Sequence, residues 1–249
     1  MTSSTAEDEP EFGASRVIAS GFRVLGSNLL AFLFISLLLI APVYLFLAWV
    51  SWGGGFILTL VPLSVFEYGI LLVEMLLSFV AQAAVVYGTI RYLQGRRAGF
   101  AATVTSGLRK VVPVVFVAIA AGFATALGMF IFLIPGLMIM TAYWVAVPAA
   151  VIEDKGIWES LHRSADLTRD CRWKVFGVIL VALAAQVASE NVIEHVLGFD
   201  ENYYLSLGLS WLSSSAITAL GAVLSTVTYH ELRVVKEGAD VDQIAAVFD

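Results

Sequence analysis

The sequence predicts an all-α fold, a polytopic membrane bundle of six transmembrane helices with amphipathic interfacial helices on the cytoplasmic side. Three observations carry this expectation. The chain is 59% hydrophobic and 14% charged, against roughly 45–50% and about 25% in soluble domains. Apolar runs long enough to cross a bilayer recur along it. All fourteen Lys and Arg residues fall in alternate connections between those runs.

The first thirteen residues form a Ser/Thr/acid stretch with Glu7, Asp8, Glu9 and Glu11, which reads as a disordered acidic tail. It lacks the basic start and short apolar run of a signal peptide. Residues 14–232 form the six-span domain, and 233–249 a cytoplasmic tail. A hydrocarbon core about 30 Å thick needs roughly 20 apolar residues in a helix. Five runs meet this: Leu29 to Val50, Tyr68 to Ile90 (interrupted by Glu74), Val111 to Ile134, Val175 to Ala188 with a more polar turn beyond, and Tyr204 to Thr228. A sixth, Leu137 to Ile152, is shorter and carries Pro148 near its end. A re-entrant hairpin is the competing picture for it. The Phe132 to Met138 connection has no polar side chain, so Pro135-Gly136 is expected to reverse the chain at the outer interface.

Topology follows from charge. The cations group as Arg16 and Arg23; Arg91, Arg96, Arg97, Arg109 and Lys110; Lys155, Arg163, Arg169, Arg172 and Lys174; Arg233 and Lys236. The intervening connections have none. Short Lys/Arg-rich loops stay cytoplasmic, so both termini are expected inside, and the sixth span is needed to keep the pattern. Trp49 and Trp52 at one face, with Trp158 and Trp173 at the other, fit interfacial aromatic belts.

Amphipathic basic segments precede spans one, three and five: Ala14 to Asn28, Phe100 to Lys110 and Gly156 to Asp170. Their flat docking on an anionic leaflet makes Arg23, Arg109, Lys110, Arg163, Arg169, Arg172 and Lys174 candidate lipid contacts. Short similarities such as Ser20-Gly21-Phe22-Arg23 and Ser106-Gly107-Leu108-Arg109 suggest three tandem units of interfacial helix plus hairpin. Chance similarity between amphipathic helices is the alternative.

Within the spans Glu74 stands out, because intramembrane charge costs a few kcal/mol unless paired or neutralised. Glu67 lies seven residues earlier and is expected on the same face. Gln82 and Gln186 complete the candidate polar set as interhelical hydrogen-bond partners. An ion or proton site is one reading of Glu74, and a neutral or hydrogen-bonded carboxyl near the outer water is the other. A polar cavity reaching it would separate them. No catalytic constellation is evident. His162, His195 and His230 lack ligand-spaced neighbours, so no metal or other cofactor is expected. The acids Glu190, Glu194, Asp200 and Glu201 around His195 read as a solvated loop, with a loose external cation site as the alternative. The lone Cys171 excludes an intramolecular disulfide.

Three stretches together carry a family resemblance: Leu133-Ile134-Pro135-Gly136; Val147 to Glu153 with Ser160-Leu161-His162-Arg163-Ser164 and Leu167-Thr168; and Thr228 to Gly238. They resemble the membrane domain of bacterial glycerophosphoryl diester phosphodiesterases and related stand-alone inner-membrane proteins of unknown function. The resemblance implies the bacterial inner membrane. Phosphodiesterase activity in the fused relatives belongs to a separate soluble barrel, so no catalytic residue carries over. The expected role is thus a non-enzymatic scaffold or accessory in membrane or lipid homeostasis, in contact with anionic lipid and not nucleic acid. A transporter or channel using Glu74 is one alternative, and a lipid head-group enzyme another.

The charge pattern places Gly54, Pro135 and Gly198 outside, with Gly95, Gly156 and Gly238 inside. Single-cysteine labelling in a Cys171-free background tests this. Labelling of a cysteine at Gly95 from outside intact cells overturns the topology.

Overall fold

The computed structural model describes residues 12–53, 62–95, 103, 105, 110–193 and 203–238. The helices are α1 (Ala14–Trp52), α2 (Leu63–Leu93), α3 (Val111–Ile131), α4 (Leu133–Tyr143), α5 (Ala146–Glu153), α6 (Ile157–Thr168), α7 (Arg172–Asn191) and α8 (Tyr203–Glu237). Among the described residues there are six spans long and apolar enough to cross a membrane, with α4 and α5 together making one, and no strand. The fold is the all-α bundle expected.

α1 packs most extensively on α8, α2 packs against both, and α3 and α4 form a tight hairpin. The shared core draws Phe32 and Ile35 from α1, Ala83 to Val86 from α2, Val114 and Val117 from α3, Val178 and Ile179 from α7, and Ala222 to Leu224 from α8. At its centre lies α5, with Ala146 to Ile152 all buried. A helix apolar on every side belongs inside a bundle. The outward faces carry Leu30, Phe34, Phe123, Phe130 and Ile131, all exposed. Apolar patches of that extent are rare on soluble monomers and are the normal surface toward lipid tails. Trp49 and Trp52 are exposed in the last turn of α1, and Trp158 and Trp173 in the first turns of α6 and α7.

Several local features follow the sequence closely. α1 begins at Ala14 and breaks at Asn28 (φ −126°, ψ 17°), so the interfacial segment bends into the span where expected. The Asn28 amide donates to the Val24 carbonyl at 3.1 Å and satisfies an acceptor beside the kink. α6 occupies the third amphipathic segment. It buries Ser160, Leu161, Ser164, Leu167 and Thr168 and exposes Trp158 and His162. The Phe100 to Lys110 segment lies outside the described residues except at 103, 105 and 110, as does the acidic tail through residue 11.

Four features differ from expectation. The α3–α4 reversal is made by Phe132 alone, which is extended (φ −157°, ψ 148°). Pro135 and Gly136 lie instead in the first turn of α4, where a missing N–H costs nothing. Gly136 is there for contact: a Cβ on it would lie 2.6 and 2.7 Å from the backbone N and Cα of Met129. The fourth span is broken at Trp144-Val145, between α4 and α5. The last helix runs through the expected tail boundary to Glu237 and stops at Gly238, whose φ of +59° suits glycine. Phe12, assigned to the tail, is buried at 2% exposure against the core.

Gly136→Ala forces Met129 and its backbone away and should lower stability by about 1–3 kcal/mol, the usual cost of overpacking. Gly122→Ala, whose Cβ meets nothing within 4 Å, should not. Thermal unfolding in detergent compares the two, and equal midpoints would refute the close crossing.

Candidate functional site

Two polar clusters lie at opposite ends of the bundle. The first surrounds Glu74. Counting eleven residues from the start of α2 at 1.5 Å per residue puts Glu74 about 16 Å along that helix. Ser214 lies equally far along α8, and Tyr44 on α1 is eight residues, about 12 Å, from its end. Antiparallel packing therefore brings the three to one level. The Tyr44 hydroxyl donates to Glu74 Oε1 at 2.9 Å, and Ser214 Oγ donates to the same oxygen at 3.0 Å. Both bonds fall on one oxygen, and among the described residues no hydrogen bond falls on Oε2. Trp211 stacks on Tyr44, with ring centroids 6.3 Å apart and planes 19° apart, and its indole N–H donates to Leu37 O at 3.1 Å. That stack fixes the tyrosine ring.

The carboxyl borders an open pocket of about 720 Å³ between α1, α2, α7 and α8. Besides Tyr44, Glu74 and Ser214, its polar lining is Ser210, Ser213, Gln186 and Glu190. Gln186 Nε2 donates to Glu190 Oε1 one turn on, within its own helix and not across to a neighbour. Of the four polar residues singled out in the sequence, the structure joins Glu74 and Gln186 at this pocket. Glu67 is exposed and Gln82 half-buried, and neither lines it. Sequence reasoning missed Tyr44 and the serines, and assigned Glu190 to a solvated acidic loop, whereas it lies in α7 at the pocket. The run Ser213-Ser214-Ser215 in the last span was the available signal, and it reads equally as a packing face; Ser215, Ala219 and Ala222 do pack.

The second cluster gathers at the end of α5. Glu153 Oε1 accepts from Arg163 Nε at 2.7 Å and from the Tyr229 hydroxyl, and Oε2 pairs with Lys155 Nζ at 2.5 Å. Arg163 also pairs with Glu237, which accepts from Arg233 Nε at 2.9 Å. Burial opposes the charge on Arg163, but its bonds to Glu237 and Glu153 outweigh this and hold the guanidinium above its ordinary value. Around this centre Arg16 pairs with Glu231 at 2.7 Å, Lys110 with Asp154, and Lys236 with Asp170 at 2.8 Å. The bond from Lys236 holds the exposed Asp170 carboxyl below its usual range. Ser164 Oγ donates to the Ala142 carbonyl at 2.7 Å, and Thr168 reaches the same oxygen at 3.4 Å; they tie α6 to the last turn of α4.

The cations expected to face lipid thus divide. Arg163 and Lys110 are turned into internal pairs. Arg23, Arg169 and Lys174 are exposed, Arg172 is half-buried, and Arg109 lies outside the described residues. His162 Nδ1 lies 3.2 Å from the Trp158 carbonyl, His230 is half-buried on α8, and His195 lies outside the described residues. Among the described residues no group of three or more His, Cys, Asp or Glu side chains could hold a metal.

Of the residues quoted for the resemblance, Glu153, Arg163, Tyr229, Arg233 and Glu237 meet in this second cluster, whereas Ser164 and Thr168 bond the Ala142 carbonyl. No protein-family model, curated protein or solved structure matches the chain. The cluster is fully engaged with itself, whereas the Glu74 pocket is open, so the pocket is the candidate functional site.

Arg163→Leu removes one of the three partners of the Glu153 carboxylate, whose side chain is only 12% exposed, and should cost about 1–3 kcal/mol. Adding Glu153→Leu should recover part of this loss, because a removed pair is cheaper than a broken one. Midpoints of thermal unfolding test the coupling, and a strictly additive double variant would show that the two side chains do not interact.

Proposed function

We propose that this integral membrane protein binds a small cationic or hydroxyl-bearing solute at the Glu74 pocket, as a step in carrying it across the membrane or sensing it. The observation behind this reading is the open cavity that reaches an intramembrane carboxyl. Tyr44 and Ser214 each donate to one oxygen of the carboxyl. A carboxyl facing a cavity lined by serine hydroxyls and Glu190 is suited to a cation or to a ligand rich in O–H or N–H groups. Intramembrane acids around cavities mark ion and substrate paths in transporters generally. The carrier thus displaces the scaffold as first reading.

A scaffold or accessory role in membrane or lipid homeostasis is the second reading. An apolar groove of about 530 Å³ between α1 and α2, lined by Val43, Phe46, Phe66, Gly69 and Val73, favours it. A small residue such as Gly69 in a lipid-facing groove permits close approach of another helix. Neither reading assigns a catalytic group. A lipid head-group enzyme needs free acids at one interface, and Glu153 and Glu237 are committed to Arg163, Arg233, Lys155 and Tyr229.

Sodium, potassium, guanidinium and choline serve as probes in proteoliposome uptake, with Trp211 fluorescence as a second readout. The parent should show saturable uptake or a saturable fluorescence change with one of them. Glu74→Gln should reduce apparent affinity by about tenfold or more, since a hydrogen bond to a charged group is worth about 1.5–3 kcal/mol. Tyr44→Phe should weaken it less, and all variants should remain monodisperse. Binding by Glu74→Gln equal to the parent's overturns the reading.

A further inference from the structure

Among the described residues six cations at the basic end meet carboxylates: Arg16 pairs with Glu231, Lys110 with Asp154, Lys155 and Arg163 with Glu153, Arg233 with Glu237, and Lys236 with Asp170. Arg172 differs from the exposed Arg23 and Arg169 in being half-buried. Its Nε is buried without a hydrogen-bond partner, and among the described residues no carboxylate pairs with its guanidinium. An unsatisfied buried donor is costly, and more so when charged. A water, an ion or a bound ligand can complete such a group.

The surroundings indicate what that is. Arg172 lines a groove of about 160 Å³ between α4 and the first turns of α7, whose other walls are Ile134, Leu137, Met138, Thr141, Trp173 and Phe176. Thr141 spends its hydroxyl on the Met138 carbonyl at 2.8 Å, so the wall it offers is a methyl group. Trp173, beside Arg172, is 85% exposed, as suits an indole at a membrane interface. The start of α7 adds to the positive potential: Cys171 gives no side-chain cap, and the first intrahelical bond is from Val175 N to Cys171 O at 2.9 Å. The amides of Arg172 and Trp173 therefore precede the helical ladder at the positive end of the dipole. One site thus offers an apolar slot, an uncompensated guanidinium at its rim and an interfacial indole.

We propose that this groove seats an acyl chain of an anionic phospholipid, with the lipid phosphate against Arg172 and the first turn of α7. The chain fills the apolar slot and the phosphate supplies the missing counter-charge. A zwitterionic lipid offers the same chain with a weaker net charge, so the site selects by head group. The proposal does not depend on the Glu74 pocket, which lies toward the other end of α7 at Gln186 and Glu190.

The test uses the purified full chain, delipidated and reconstituted into nanodiscs of phosphatidylglycerol and phosphatidylcholine in equal amounts, with retained lipid counted by native mass spectrometry. The parent should retain phosphatidylglycerol preferentially. Arg172→Gln should reduce that preference by about fivefold, the worth of one cation near an anionic surface. Arg23→Gln, an exposed cation on α1, should leave it nearly unchanged. Met138→Trp, which fills the slot and leaves Arg172 in place, should lower retention of both lipids. Circular dichroism and gel filtration confirm folding of each variant. An unchanged lipid ratio in Arg172→Gln, or full retention in Met138→Trp, overturns the proposal. So does displacement of the lipid by millimolar inorganic phosphate, which marks a free-anion site.

Discussion

Glu153 ends the one helix of the bundle that is buried on every side, and its carboxylate is the point at which three separate parts of the chain are joined. Arg163 reaches it from α6, Tyr229 from α8 and Lys155 from the turn between. Arg163 passes the connection on to Glu237, and Glu237 to Arg233. An ion network of this kind need not be more stable than an apolar substitute of the same volume, but a broken one is expensive. Its value here is registry. Sliding α8 by one helical turn, about 5.4 Å, separates Tyr229, Arg233 and Glu237 from their partners together. Apolar packing alone does not set such a register, because lipid tails compete equally well for apolar side chains.

The same helix that is clamped at one end lines the pocket at the other. Tyr229, Arg233 and Glu237 of α8 belong to the ion network, and Ser210, Ser213 and Ser214 line the pocket at Glu74. Between them Ser215, Ala219 and Ala222 pack into the core, and small side chains there let α8 lie close to α1 and α2. The pocket is therefore built against a fixed support, and the Tyr44–Trp211 stack holds its one aromatic donor. Donors fixed in this way hold the Glu74 carboxyl in one place at the pocket wall.

Much of this architecture is legible in the sequence, and the rest is missing for definable reasons. Span number follows from hydropathy because the bilayer imposes a length on every helix that crosses it. The interfacial segments show because amphipathic periodicity is local, and Ala14 and Asn28 mark the limits of the first in both sequence and structure. Pro135-Gly136 misleads, since the pair that signals a turn in water serves here as a first helical turn and a close crossing. Glu74 is conspicuous as a charge within an apolar run, and Gln186 as a polar residue in another. Tyr44 and Ser214 are ordinary residues in a span until the fold brings them to the carboxyl. The Arg163–Glu237 pair joins residues 74 positions apart (237 − 163), and no periodicity reports a contact at that distance.

Charge counting in the sequence shows where the cations cluster but not which remain uncompensated, and the two carry different consequences. During insertion, clustered Lys and Arg residues act as individual charges that bias orientation. After folding, Glu153, Asp154, Asp170, Glu231 and Glu237 meet several of them, so the same residues that bias topology first go on to lock the helices. The field that the folded end presents to a leaflet is then smaller than fourteen basic residues suggest, and it is concentrated where no carboxylate answers. Exposed cations such as Arg23 and Arg169 are screened by water and salt within a Debye length of about 8–10 Å. Arg172 is half-buried against an apolar wall and is screened less. The strength of attraction for an anionic head group therefore depends on the solvation of single side chains, and not on the size of the cluster to which they belong.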